Sequence, residues 1–179
     1  MLPGVPRLEL PVLRGDRVVL RPLEERDVAP LAAILAEPSV ARWWGAWDEA
    51  RVRAALLDED EEGVLAVEFE GSLAGVLLVG EEADPEYRHA SLDISLRTAD
   101  QGKRLAGEAL RLVIAHLIEA RAHHRFTIDP AADNERAIRA YSRLGFRPVG
   151  IMRRYERAPD GSWHDGLLMD LLAEELGGR

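Results

Sequence analysis

The chain has no cysteine among its 179 residues. That excludes disulfides, a thiolate nucleophile and any zinc site built on cysteine. It has no apolar run approaching the ~20 residues that span a bilayer, so no membrane segment is expected. The opening residues 1–7 lack the apolar stretch and small-residue cleavage site of a secretory signal. A cytoplasmic location is therefore the expectation. A surplus of basic charge is also missing. The net charge of −9 argues against nucleic acid, which needs a basic face. The same charge favours cationic partners, although solubility alone also accounts for it. No Gly-x-Ser-x-Gly elbow is present, so nothing indicates a serine nucleophile. Repeats, linkers and low-complexity blocks are absent too. What remains is ordinary for a globular protein, 47% hydrophobic and 31% charged, and long enough for one domain with a proper core.

The order of the segments indicates a single α/β domain. Residues 1–15, with three prolines, read as an N-terminal arm, and 16–175 as the domain. Residues 17–23 form a short β-like run. Asp27 is placed to cap a helix whose Val28, Leu31, Ile34 and Leu35 share a face. Pro30 is tolerated in its first turn and Pro38 helps to end it. Trp43, Trp44 and Trp47 surround Gly45 in an expected loop, followed by a charged helix over 48–60 and an acidic run over 58–62. Strands are expected at 64–70, 73–79 and 90–96. In the third, Leu92, Ile94 and Leu96 alternate with Ser91, Asp93 and Ser95. A long helix then presents Leu105, Ala109, Leu112, Val113, His116, Leu117 and Ala120 on one face. Strand 125–129, helix 134–144 capped by Gly145, strand 146–152, a turn at 159–161 and strand 166–172 complete the chain. The expected architecture is a mixed sheet of about six or seven strands with helices on both faces.

Two segments carry chemistry. Gln101, Gly102, Lys103, Arg104, Leu105, Ala106 and Gly107 open the long helix. Small and basic residues at a helix start offer free N–H groups and a positive dipole end, which suits a pyrophosphate. About thirty residues on come Asn134, Ala137, Tyr141, Gly145 and Phe146. Over residues 16–173 the chain resembles the GNAT superfamily of acetyl-coenzyme A-dependent N-acetyltransferases. The family's loop pattern, Gln/Arg-x-x-Gly-x-Gly/Ala, is met at Gln101 and Ala106, while the middle glycine is Arg104. The second pattern, Asn-x-x-Ala-x-x-x-Tyr-x-x-x-Gly-Phe, is met in full. The start, Arg21, Pro22 and Leu23, and the stretch 160–165 resemble the branch that acetylates ribosomal-protein N-termini. Residues 40–45 resemble aminoglycoside 6′-N-acetyltransferases.

The resemblance implies direct attack of an amine on the acetyl-coenzyme A thioester, with no acyl-enzyme and no metal. It implies a sheet splayed beside strand 92–96, with the pantetheine arm hydrogen-bonded to backbone at Ile94 and Leu96. A free N–H there would steady the oxyanion. Gln101, Gly102, Lys103, Arg104, Leu105 and Ala106 would hold the pyrophosphate. Arg143 would approach the ribose phosphate, or stand solvated on its helix. Asn134 would bond the pantetheine arm, cap its helix, or both. Tyr141 is the expected general acid, since a phenol of pKa ~10 keeps its proton at neutral pH; packing on its helix face is the plainer reading. Asp93 anchors a cationic acceptor, takes its proton late, or is simply an exposed carboxylate on the polar face of its strand. Glu86 and Asp84 would extend the same negative pocket. Trp43 and Trp44 would contact substrate, or close the core with Trp47. Adjacent His123 and His124 cannot share a helix face and read as surface residues near the helix dipole, not metal ligands. His164 and Asp165 are expected in a turn. The expected acceptor is a small cationic amine of aminoglycoside or polyamine type. A peptide N-terminus is the alternative, and a non-catalytic acyl-coenzyme A sensor a third reading. A homodimer stays open.

Overall fold

The computed structural model describes residues 8, 10–45, 47–58, 63–82, 84–158 and 161–177. The chain forms β1 (Leu13–Arg14), β2 (Val18–Pro22), α1 (Val28–Leu35), α2 (Pro38–Trp44), α3 (Glu49–Val52), β3 (Gly63–Phe69), β4 (Ser72–Glu82), β5 (His89–Leu96), α4 (Leu105–Arg121), β6 (Arg125–Ile128), α5 (Glu135–Leu144), β7 (Arg147–Arg157) and β8 (Trp163–Leu172). One sheet runs β1-β2-β3-β4-β5-β6-β8-β7. Every neighbouring pair is antiparallel except β5 and β6. Eight strands replace the six or seven expected. The addition is β1, whose Leu13 and Arg14 pair with Leu20 and Val19 of β2.

The apolar pattern explains the layers. In β3, Leu65, Val67 and Phe69 point into one core, whereas Val64 and Ala66 point into another. Burial on both sides is why the strand reads as a nearly unbroken apolar run. Helix α4 fills the first core with Leu105, Ala109, Leu110, Val113, Ile114 and Leu117. The buried stripe is rotated from the expected one: Leu110 and Ile114 join it, and Ala120 is exposed. Helices α1 to α3 close the other face with Val28, Leu31, Leu35, Val40 and Val52. Leu8 and Leu10 also reach the first core.

Local chemistry overrode some sequence cues. Asp27 makes no cap bond to α1. Its carboxylate instead takes Arg21 Nη1 and Nη2, at 2.6 and 2.8 Å, and the Glu24 N–H. An ion pair beside a buried guanidinium outcompetes a cap that solvent can replace. The charged helix expected over 48–60 is a single α turn, α3, continued by a wider five-residue turn at Arg53–Leu57. Residues 59–62 and 159–160, expected as an acidic run and a hairpin turn, lie outside the described residues. Among the described residues, no helix is long and apolar enough to cross a membrane.

Candidate active site

The sheet parts between β5 and β6. Only Ala90↔Phe126 and Ser91↔Thr127 are paired across it. Beyond them, Leu92 to Leu96 keep their bonds to β4 but have no partner in β6. A Cβ at Gly75 would sit 1.9 Å from the Ser95 carbonyl oxygen, so β4 and β5 approach closely where only glycine leaves room. The parting of β5 from β6 leaves a wedge with one backbone edge free, the shape needed for an extended arm to add as a strand. Side chains of Ile94 and Leu96 are buried in the core, so backbone alone represents them at the wedge.

The loop from β5 to α4 is held from below. Burial pushes the Asp100 carboxyl up, but hydrogen bonds from Lys103 and Arg97 outweigh it and keep it ionised below the ordinary range. Asp100 is 1% exposed, and Lys103 Nζ lies 2.8 Å from its Oδ1. The Gln101 amide donates to the Leu96 carbonyl at 2.7 Å, fixing the end of β5. Lys103 and Gln101 thus shape the loop through protein partners. Gly102 and Arg104 both have positive φ, 82° and 64°. Arg104 occupies the motif's glycine position in a glycine-like conformation, at a strain of order 1 kcal/mol. Its side chain is exposed and, among the described residues, makes no ion pair. No side chain caps α4, so Leu105 and Ala106 begin a helix whose N-terminus is open to an anion. Glu108 does not compete for that place, because Arg17 and Val18 N–H groups occupy its carboxylate. Arg143, in the last turn of α5, is exposed and makes no ion pair among the described residues.

Asn134 caps α5 by accepting the Ala137 N–H at 3.2 Å, and Gly145 closes the helix at φ 118°. Between them Tyr141 is 7% exposed, its ring 6.2 Å from that of Phe146. Burial pushes its hydroxyl pKa well up, and the charges of Asp93 and Asp129 add to this. The phenol is therefore protonated at any physiological pH.

Asp129, which follows β6 on the far lip of the wedge, was read from sequence only as the last residue of its strand. Interaction with Asp129, then burial, pushes the Tyr155 hydroxyl up to about 12. Burial, then Asp129, raises the Glu156 carboxyl too. Asp129 does have a sequence signal, its place at the carboxyl end of a strand beside a split. Tyr155 and Glu156 have none, because β7 runs on past the expected end at 152 through an irregular stretch.

Other predicted residues are placed differently. Trp43 and Trp44 end helix α2 rather than lying in a loop, with Gly45 following at φ 74°. Trp44 and Trp47 pack on the second core, and the Trp47 indole N–H donates to the Trp44 carbonyl at 2.7 Å. Trp43 stands apart from that cluster with Arg42 stacked 4.5 Å from its ring centre. The helix is tied to the phosphate-side loop: Glu37 accepts the Thr98 N–H at 2.6 Å, and the Ser39 and Thr98 hydroxyls meet. Glu86 and Asp84 are not brought to Asp93. They order their own turn before β5, next to its paired end, while the wedge opens at the other. His123 is a correction: it is 1% exposed, not on the surface, with Nε2 2.7 Å from Glu81 Oε1. Among the described residues no cluster of three or more metal-ligating side chains occurs.

Residues 17–147 match the family model for the acetyltransferase (GNAT) domain. The chain belongs to the GNAT acetyltransferase family. This acetyltransferase is 29% identical to an aminoglycoside N(6′)-acetyltransferase type 1 of Klebsiella pneumoniae, over 88% of this chain and 86% of that protein. It is 30% identical to the spermidine N(1)-acetyltransferase of Escherichia coli, over 85% and 84%. Among solved structures, RimJ of Mycobacterium smegmatis in complex with CoA-disulfide superposes with a TM-score of 0.76 at 25% identity, covering 89% of this chain and 84% of that one. The transferase activity and the single-domain fold thus rest on the chain's length as a whole.

Proposed function

We propose that this acetyltransferase moves the acetyl group of acetyl-coenzyme A directly onto a primary amine of a small cationic acceptor, of aminoglycoside or polyamine type. The observation that carries the reading is the wedge between β5 and β6, with buried Tyr141 and the carboxylates Asp93 and Asp129 around it. In the reaction, the pantetheine arm takes the free backbone edge of β5, and the diphosphate takes the N-terminus of α4 beside Arg104. The carboxylates hold the acceptor ammonium near the thioester. The ammonium first releases one proton to solvent; the free amine then attacks the carbonyl carbon, a β5 N–H steadies the oxyanion, and the second proton leaves the bonded nitrogen for Asp93 or water. Tyr141 then gives its proton to the departing thiolate. Asp93 works best as a charge anchor. A carboxylate of pKa ~4 is a poor base for an amine of pKa ~10, but a fair one after the N–C bond has formed.

The acidic surroundings and the two amine-acetylating relatives support a cationic small molecule over a peptide N-terminus. Mass spectrometry of a mixed pool of aminoglycosides, polyamines and N-terminal peptides, incubated with acetyl-coenzyme A, decides between them. Acetylation of the small amines is expected. Acetylation of peptides alone would transfer the enzyme to the protein-directed class. Binding of acetyl-coenzyme A with no thioester loss across the pool would leave a sensor.

A further inference from the structure

The approach to β2 grips the loop that opens α4, and neither family pattern includes that grip. Arg17 and Glu108 are 91 positions apart. Yet the Glu108 carboxylate takes the Arg17 N–H at 2.7 Å, the Val18 N–H at 3.1 Å and Arg17 Nε at 2.9 Å. This clasp aims the guanidinium along the loop, where Nη1 donates to the Lys103 carbonyl at 3.0 Å. Lys103 is thus held at both ends, since its Nζ lies on Asp100. The Lys103 carbonyl belongs to the peptide unit shared with Arg104. That unit is trans, as every described peptide bond is, so the Arg104 N–H points away from Arg17. Among the described residues that N–H has no hydrogen-bond partner. Gly102 and Arg104, on either side of Lys103, both have positive φ. A residue other than glycine persists there only where its surroundings hold it.

We propose that Arg17 is a positioning residue for the coenzyme: by holding the Lys103 carbonyl, it turns the Arg104 N–H outward at the open start of α4 to meet the diphosphate. The inference rests on the acetyl-coenzyme A reading above. It accounts for a working loop with arginine at the glycine position of the motif. Glycine enters the left-handed region unaided, whereas arginine is kept there by a partner from another segment. Two nearby cations, Lys103 and Arg97, are already paired with Asp100, and the exposed Arg104 side chain brings a charge of its own. What Arg17 supplies is the orientation of a peptide unit. Only a fork of several N–H donors reaches Glu108 and the Lys103 carbonyl together, so a lysine cannot replace it.

Arg17→Lys tests the assignment, because it keeps the charge and a partner for Glu108 but loses the fork. Calorimetry with coenzyme A alone needs no acceptor. The dissociation constant should rise about fivefold, the loss of one ordinary hydrogen bond. Arg17→Met should lose at least as much. In the ligand-free protein, the ¹⁵N order parameter of the Arg104 amide should fall in Arg17→Lys from about 0.85 toward about 0.6. Those of Val113 to Leu117, in the middle of α4, should hold. Saturating coenzyme A should move the Arg104 amide proton downfield in the wild type and less in the variant. Wild-type affinity in Arg17→Lys would leave Arg17 only a charge and overturn the assignment. An unchanged Arg104 order parameter, or an equal fall along α4, would overturn it too. If the wild type binds no coenzyme A, the proposed function falls, while the order parameter still decides the hold on Lys103.

Discussion

In the proposed reaction, Tyr141 is the residue on which the chemistry turns. Burial holds its hydroxyl protonated, so it is a reservoir for one proton and not a base. Tyr141→Phe should lower kcat by about tenfold to a hundredfold, because a thiolate of pKa ~8.5 leaves fairly well unaided. Affinity for acetyl-coenzyme A, measured by calorimetry, should hardly change. An unaltered kcat would reduce Tyr141 to packing against Phe146. At this scale the sequence was legible wherever a residue's role follows from local spacing. Tyr141, Asn134 and Gly145 stand where the pattern put them, the last two with the expected cap and left-handed turn. Residues whose role comes from distant strands were not legible. Glu81 and His123 are 42 positions apart yet meet at 2.7 Å, and nothing in either neighbourhood announces the other.

Among the elements, the C-terminal end of α4 carries a pH dependence. His123 is buried behind the helix, with Nε2 on Glu81. Arg121, then burial in opposition and His123, set Glu81, which is held below its ordinary range and so is ionised. The imidazole must therefore donate from Nε2, leaving Nδ1, which has no partner among the described residues, as a bare lone pair. Burial lowers the His123 pKa below 6.5, against the pull of Glu81 and with Arg88 and Arg121 adding to the lowering. For a group depressed in the folded state, the stability is fully present above the unfolded pKa of 6.5 and is lost as pH falls through the folded value. The urea midpoint should thus fall as pH drops from about 7 to 5. Glu81 titrates lower still and leaves that window to the histidine. His123→Gln keeps a donor for Glu81 but cannot titrate, so its midpoint should be flatter over the same range. An equally steep variant would remove His123 from the account. The histidine pair was misread because adjacency excludes one helix face but says nothing about a residue just past the helix end. There Ala122, at φ 55°, turns the chain inward. The same limit applies to α2, where three tryptophans beside a glycine resemble a loop until Pro38 at the first turn and Gly45 at the end are seen to bound a helix.

For the whole molecule, the net charge of −9 has a kinetic consequence if the acceptor is a polycation. Long-range attraction should speed its capture, and salt should screen it, with a Debye length of about 10 Å at 0.1 M. kcat/KM for such an amine should fall severalfold between about 0.05 and 0.5 M salt while kcat holds. A salt-independent kcat/KM would mean that only contact charges matter. The chain's own sequence determined the class of protein. Alternating and unbroken apolar runs dictate which segments are strands and helices, and short-range motifs dictate the helix start, the caps and the phenol, because backbone geometry links neighbours in sequence. Only the tertiary structure decided the site. The wedge exists because β5 stops pairing with β6 after two residues. The carboxylates of Asp93 and Asp129 both act on Tyr141 there, although they sit on segments that are far apart in the chain. Contacts between segments far apart in the chain leave no periodicity to read, so their geometry appears only once the sheet has closed.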